Sequence, residues 1–220
     1  MRGVSTQCRN RTKAGPSTSA PPVSEIEYLA LGQERAAEVA ALHFISLPDD
    51  YLPAFGEKVL RAYYAYSIPH KRADLIAACH GEQVVGVAQV VKGDSIFGGF
   101  FLRHPVMLFA GMLRILGRSP RMLKAILSTL WTDKALRGEC HNELAYVFVA
   151  PDFRRQGIAT GLVKAVNQSL AGCGANCCVT KTLARNEHLL QLYRSFCREV
   201  QVVGKFTDQI REYAYIQWTV

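Results

Sequence analysis

One stretch of the chain has the residue types and spacing of an anion-binding turn: VAPDFRRQGIATG, residues 149–161. An apolar strand runs through a proline-containing turn into Arg154, Arg155 and Gln156, and a helix then opens on Gly157, Ile158, Ala159 and Thr160. Small residues keep the main chain accessible there. The first amides of a helix lack internal acceptors and carry the positive end of its dipole. A pyrophosphate suits such a site. Spacing alone leaves open a plain strand-to-helix connection with solvent-facing arginines. Gly161, inside the helix, costs roughly 1 kcal/mol relative to alanine, which points to a close approach at that position.

Other residues could serve chemistry around that turn. Glu143 starts the apolar run ELAYVFVA, where strict alternation puts it on the face of Ala145, Val147 and Val149. His141 stands two residues earlier, although a lone histidine is more often structural. Asn186 and Tyr193 are seven residues apart, so a helix would project both from nearly the same side. Leu189, Leu190 and Phe196 flank that stripe, so Tyr193 could equally be packing. The seven cysteines are odd in number and show no C-x-x-C spacing. Reduced thiols in an intracellular protein are therefore expected, rather than a disulfide scaffold or a zinc site. Cys177 and Cys178 would point to opposite sides of a strand and could not chelate one ion.

The elements that must position these residues can be read from periodicity. Residues 24–31 suit a strand, 33–46 a helix with Ala36, Ala37, Ala40, Ala41 and Phe44 at helical spacing, and 51–66 a second helix. Residues 73–80 and 84–91 read as a hairpin about GEQ. Residues 95–137 hold two apolar helices interrupted near Gly117 and Pro120. A strand at 143–150, a helix at 157–170, a strand at 176–183, a helix at 186–196 and strands at 200–203 and 212–220 follow. This order predicts a mixed α/β (α+β) fold, with about seven mostly antiparallel strands flanked by helices.

Composition bounds the partners. The formal net charge of +8 comes from 26 basic and 18 acidic residues, but Arg2, Arg9, Arg11 and Lys13 all precede the first acid, Glu25. The remaining +4 could attract phosphorylated ligands without marking a nucleic-acid binder. Residues 1–23, rich in Ser, Thr, Pro and Arg, read as a disordered basic tail ahead of one domain at 24–220. An organellar presequence is the alternative to a cytoplasmic location. The apolar run within 95–137 is split by Arg103, His104 and Pro105, with Arg114 following, before the roughly 20 residues of a bilayer crossing accumulate.

With Arg154, Gly157 and Ala159 in the pattern [Q/R]-x-x-G-x-[G/A], after YVFVAPDF and before an N-x-x-x-x-x-x-Y helix, the sequence resembles the GCN5-related N-acetyltransferase (GNAT) superfamily. The likeness covers 24–220 except 95–137. It implies that strands four and five splay apart and that acyl-CoA enters the gap. Val147 and Val149 would then offer main-chain groups to the pantetheine arm. Amides of Arg155, Gln156, Gly157, Ile158, Ala159 and Thr160 would cradle the pyrophosphate, with Arg154 completing the motif and Asn186 touching the arm. Many relatives carry Gly at the position of Arg155.

The resemblance implies direct attack of a neutral amine on the thioester of acetyl-CoA, with orientation supplying much of the rate. Val147 N–H would stabilise the oxyanion, Tyr193 would protonate the departing thiolate, and Glu143 would take the amine proton, directly or through water. Cys140, Cys177 and Cys178 invite a covalent route, but strand cysteines are usually small hydrophobes. The expected acceptor is a small-molecule or peptide amine. Two alternatives remain: a non-catalytic acyl-CoA sensor or docking module, and a transferase for a longer acyl chain. The insertion at 95–137 could be an added core layer, a lid over an apolar acceptor, or a surface touching membrane lipid or a partner. It also permits a homodimer.

Overall fold

The computed structural model describes residues 26–136, 140–208 and 210–220. The tail predicted at 1–23 lies outside them. Seven strands form one sheet in the order β1-β2-β3-β4-β5-β7-β6. They are β1 (Ile26–Ala30), β2 (Ala73–His80), β3 (Gln83–Lys92), β4 (Asn142–Val149), β5 (Cys177–Leu183), β6 (Arg198–Thr207) and β7 (Glu212–Thr219). Every pairing is antiparallel except β4 with β5. The mixed α/β expectation and its strand count match this sheet.

Helices cover both faces. On one side lie α1 (Ala36–Ser46), α2 (Tyr51–Ala54) and α3 (Glu57–Ser67), joined by α4 (Phe97–Arg103), α5 (Pro105–Arg118) and α6 (Pro120–Leu136). On the other lie α7 (Ile158–Gly172) and α8 (Glu187–Phe196). β3 runs between the layers and is buried along most of its length, which is why VVGVAQVV is apolar with little alternation. Val87 and Val91 join the α1–α3 core, while Ala88 and Val90 join the α7 core.

Several local expectations are corrected. The helix expected over 51–66 is two helices, because Gly56 takes φ +103°, a left-handed conformation that breaks the run and starts α3 afresh. The buried face of α1 is Ala36, Val39, Ala40 and His43, whereas Ala37, Ala41 and Phe44 are exposed. The insertion folds as three helices rather than two, the extra break falling at His104 ahead of Pro105. Among the described residues no single helix is long and apolar enough to cross a membrane. α4 and α5 reach that length only together, and they are bent by 104°.

The cysteines are corrected too. Cys140 and Cys177 form a disulfide, with Cα atoms 5.9 Å apart. They are 37 residues apart in sequence, and only the parallel pairing of β4 with β5 brings them together. Cys178, on the opposite side of the strand, is buried in the α7 core as a free thiol.

Candidate active site

A cleft of about 1640 Å³ opens where β4 and β5 separate. The two strands pair only at Glu143 with Val179 and Leu144 with Thr180, after which they diverge. On its other edge β4 stays in register with β3, Tyr146 opposite Gln89 and Phe148 opposite Val87. The Ala150 N–H donates to Val85 O at 2.8 Å, which fixes the phase of that ladder. Hydrogen-bonded and non-hydrogen-bonded positions alternate along an antiparallel pair. Tyr146 and Phe148 therefore spend their main-chain groups on β3, and Val147 and Val149 direct theirs into the gap. Splayed strands with the main chain of Val147 and the Val149 N–H turned into the gap are thus what the sheet register produces; the Val149 carbonyl is taken by Arg154.

The turn beyond β4 completes one wall. Arg155 adopts φ +62° and Gly157 φ +78°, both left-handed, and this double reversal swings the chain into α7. The first intrahelical bond runs from Gly161 N–H to Gly157 O at 3.0 Å. The amides of Ile158, Ala159 and Thr160 accordingly point out of the helix end, with the helix dipole behind them. A Cβ on Gly157 would meet nothing within 4 Å, so the approach to these amides is open. The left-handed backbone also explains why glycine suits the position of Arg155. At Gly161 the close approach is to the Tyr28 ring from β1, within the protein itself.

Arg154 takes a role that spacing did not reveal. Its Nε donates to Val149 O at 3.2 Å and its Nη2 to Ser46 O at 2.9 Å. The guanidinium thereby ties the end of β4 and the end of α1 to the turn, and through this geometry it shapes the cradle from behind. Gln156 donates to Asp152 O at 3.3 Å and is the one predicted site residue that does not line the cleft.

Asn186 sits just ahead of α8 as its N-cap, accepting the Leu189 N–H at 3.3 Å. Tyr193, within α8, is 2 % exposed, stacks on Trp218 at 4.9 Å and still reaches the cleft. The Thr180 side chain lies near its hydroxyl and offsets part of the effect of burial on the phenol. Thr180 in turn donates to Leu144 O at 2.8 Å, at the last paired position before the strands part. The phenol therefore lies near the apex of the gap. Burial pushes its pKa well above the ordinary range, so it stays protonated.

Glu143 lines the cleft, but its face is corrected. The β3–β4 register slips between Gln89 and Val90, so Tyr146 faces Gln89, Leu144 faces Val90 and Ala145 is an extra residue. Such a bulge reverses the alternation. Leu144 lies with Val147 and Val149 on the α7 side, while Ala145, Tyr146 and Phe148 lie on the α1–α3 side. Glu143 therefore belongs to the latter face, opposite Val147 and Val149. Its charge is felt there by Tyr63 and Tyr146, both pushed to high pKa first by burial.

That side also holds residues missed in the sequence. His43 is fully buried in α1, its Nδ1 2.7 Å from Tyr64 Oη and its Nε2 3.5 Å from Asp50 Oδ2. It stacks on Phe148 at 4.8 Å, beneath the cleft. Gln89 donates to Tyr63 Oη at 3.0 Å. Across the rim, Arg211 donates to Asp49 O at 2.6 Å, joining the β6–β7 turn to the α1–α2 loop, and Tyr213 Oη of β7 donates to Tyr51 Oη of α2 at 3.2 Å. The polar spacing of His43 within an apolar helix was the available signal. Its partners come from distant segments.

The residues present fit an acyl-CoA: open amides at a helix N-terminus for a diphosphate, an accessible strand edge for an extended arm, and a wide apolar cleft beyond. Among the described residues no group of three or more His, Cys, Asp or Glu could hold a metal ion.

Comparison with known proteins agrees with this geometry. The profile of the Acetyltransferase (GNAT) family matches residues 43–197. No curated protein sequence matches the chain closely. Among solved structures, agmatine N-acetyltransferase (S171A mutant, apo form) superposes with a TM-score of 0.61 at 12% identity, over 89% of this chain and 100% of that one. The ribosomal-protein-S18-alanine N-acetyltransferase of Escherichia coli gives 0.55 at 11% identity, over 89% and 94%. YncA of Salmonella typhimurium, described as a candidate acetyltransferase and solved with its cofactor acetyl-CoA, gives 0.56 at 12% identity, over 89% and 94%. At such identities the likeness is one of fold.

Proposed function

Because the chain belongs to the Acetyltransferase (GNAT) family, enzymes that use acetyl-CoA, we propose that it moves an acetyl group to a primary amine by direct attack. The acceptor is a small molecule or a peptide. Acetyl-CoA, when bound, supplies an activated thioester. The chain's own residues do the rest. Amides from Arg155 to Thr160 hold the diphosphate, and the Val147 and Val149 main chain orients the arm along β4. The Val147 N–H faces the gap, where it can stabilise negative charge developing beside it.

Tyr193 is the proton donor to sulfur in this reading. A buried phenol with a raised pKa, packed on Trp218 and close to Thr180 at the apex, is both positioned and protonated. Glu143, on the cleft wall beside Tyr146, is the group that takes the amine proton, directly or through water. Cys178 is a poor nucleophile in this setting, because burial holds its thiol in the neutral form. Cys140 and Cys177 are bonded to each other, which also favours direct attack over an acyl-enzyme.

The observation that carries the reading is the divergence of β4 from β5 with Tyr193 at the apex. A thiol-release assay with acetyl-CoA over an amine panel tests it. Steady turnover is expected with at least one amine, and Tyr193→Phe should lower kcat by about 100-fold while leaving acetyl-CoA affinity near wild type. Binding of acetyl-CoA without turnover on any amine would replace the enzyme with a sensor. Wild-type kcat in Tyr193→Phe would remove the tyrosine from the chemistry.

A further inference from the structure

The insertion contributes more than a core layer. Helix α5 has two apolar faces. Leu108, Gly111 and Ile115 are buried against the body of the protein. Val106, Phe109, Leu113 and Leu116, spaced by three and four residues, point the other way and are 80%, 61%, 52% and 46% exposed. At the corner where α4 meets α5, Leu102 is 86% exposed. A helix apolar on both sides is ordinarily sandwiched between two apolar neighbours. Here the described protein supplies only one.

Charge identifies the second neighbour. From Ser95 to Thr132 the chain contains no aspartate or glutamate, but it holds Arg103, Arg114, Arg118, Arg121 and Lys124. All five are exposed, and all but Arg114, whose guanidinium lies over the Gly56 turn, are free to meet a partner. A second copy meeting this face about a two-fold axis would bring unopposed cations toward cations. An anionic bilayer surface complements the cations and accepts the apolar row. The 104° bend between α4 and α5 prevents the pair from acting as one straight span, while the projecting corner suits shallow insertion.

We infer that α4, α5 and the start of α6 form a docking surface for an anionic membrane, with Leu102, Val106 and Phe109 entering the interface and Arg103, Arg118, Arg121 and Lys124 meeting lipid phosphates. Phe100 and Leu108 of the same helices line the cleft. Docking therefore brings the acceptor side of the cleft to the lipid surface.

The test is flotation of the full chain with vesicles of phosphatidylcholine alone or of equal parts phosphatidylcholine and phosphatidylglycerol. Strong flotation is expected only with the anionic vesicles. The variant Leu102→Ser/Val106→Ser/Phe109→Ser keeps every basic residue, including Arg2, Arg9, Arg11 and Lys13, and should lose about tenfold or more in vesicle affinity. Arg118→Gln and Arg121→Gln should each weaken binding by about fivefold. All of these positions are exposed, so acetyl-CoA binding should stay at the wild-type level, which reports an intact fold without relying on turnover. Leu102→Ser alone repeats the test at the most exposed site. Three results would each overturn the inference: no flotation with either vesicle, flotation of the triple variant equal to wild type, or a stable wild-type dimer in dilute solution that the triple variant dissociates.

Discussion

Replacing Arg154 with methionine separates two roles that the motif alone leaves merged. If Arg154 reaches a phosphate, its loss weakens ligand binding and leaves the empty protein as stable as before. The hydrogen bonds to Val149 O and Ser46 O predict otherwise. A bond from a charged donor contributes about 1.5–3 kcal/mol in protected surroundings. Arg154 is exposed overall, so solvent competes, and the two bonds together are expected to contribute about 2 kcal/mol. Methionine keeps much of the aliphatic stem, so lost packing adds little. Urea unfolding without ligand should show that loss, and the melting temperature should fall by about 4–8 °C for a protein of this size. Acetyl-CoA affinity should drop as well, because the turn and the end of α1 lose their common tie. Arg154→Lys, with a single point charge, should recover little of either. A methionine variant that unfolds like wild type yet binds acetyl-CoA poorly would refute the clamp and return Arg154 to the phosphate.

Other outcomes follow from the same geometry. At position 155 the left-handed backbone favours glycine over a side chain by about 1 kcal/mol, so Arg155→Gly should be more stable than Arg155→Ala in urea; equal stability would contradict φ +62°. Burial raises the pKa of Tyr63, Tyr64, Tyr146 and Tyr193, so the fold retains protons that the unfolded chain releases near pH 10. Stability is then full below that pH and falls above it by up to about 1.4 kcal/mol per pH unit for each tyrosine. Absorbance at 295 nm should show these phenols ionising together with unfolding, and a single transition near pH 10 in folded protein would contradict their burial. Reducing the Cys140–Cys177 bond opens a loop of 37 residues and should cost up to about 4 kcal/mol. Peptide mapping should recover the two cysteines linked, and alkylation of both in denatured, unreduced protein would contradict the pairing.

Much of the local geometry of the proposed cofactor half was legible because its signals are local. The turn from Arg154 to Thr160 reads directly from small residues and helix-end chemistry, and Tyr193 from helical spacing, whereas Asn186 proves to be the N-cap ahead of that helix and not a residue on its face. The order of strands and helices also emerged from periodicity. What escaped depends on contacts between distant segments. Nothing in ELAYVFVA marks Ala145 as an extra residue, because the bulge exists only in register with β3, and it moves Glu143 to the other face. The direction of the Arg154 side chain depends on where α1 ends. His43 acquires its setting from Tyr64, Asp50 and Phe148. The cysteine pair is closed by a parallel strand contact that spacing rules cannot anticipate. The break at Gly56 was visible as a glycine, but apolar spacing on both sides concealed its left-handed turn.

Amide hydrogen exchange followed by NMR, with and without acetyl-CoA, probes the proposed cradle directly. The main-chain N–H groups of residues 155–160 should become protected on binding, while those of β1, remote from the cleft, should not change. Saturable binding that leaves the 155–160 amides exchanging as fast as before, or no binding by folded protein, would contradict the account.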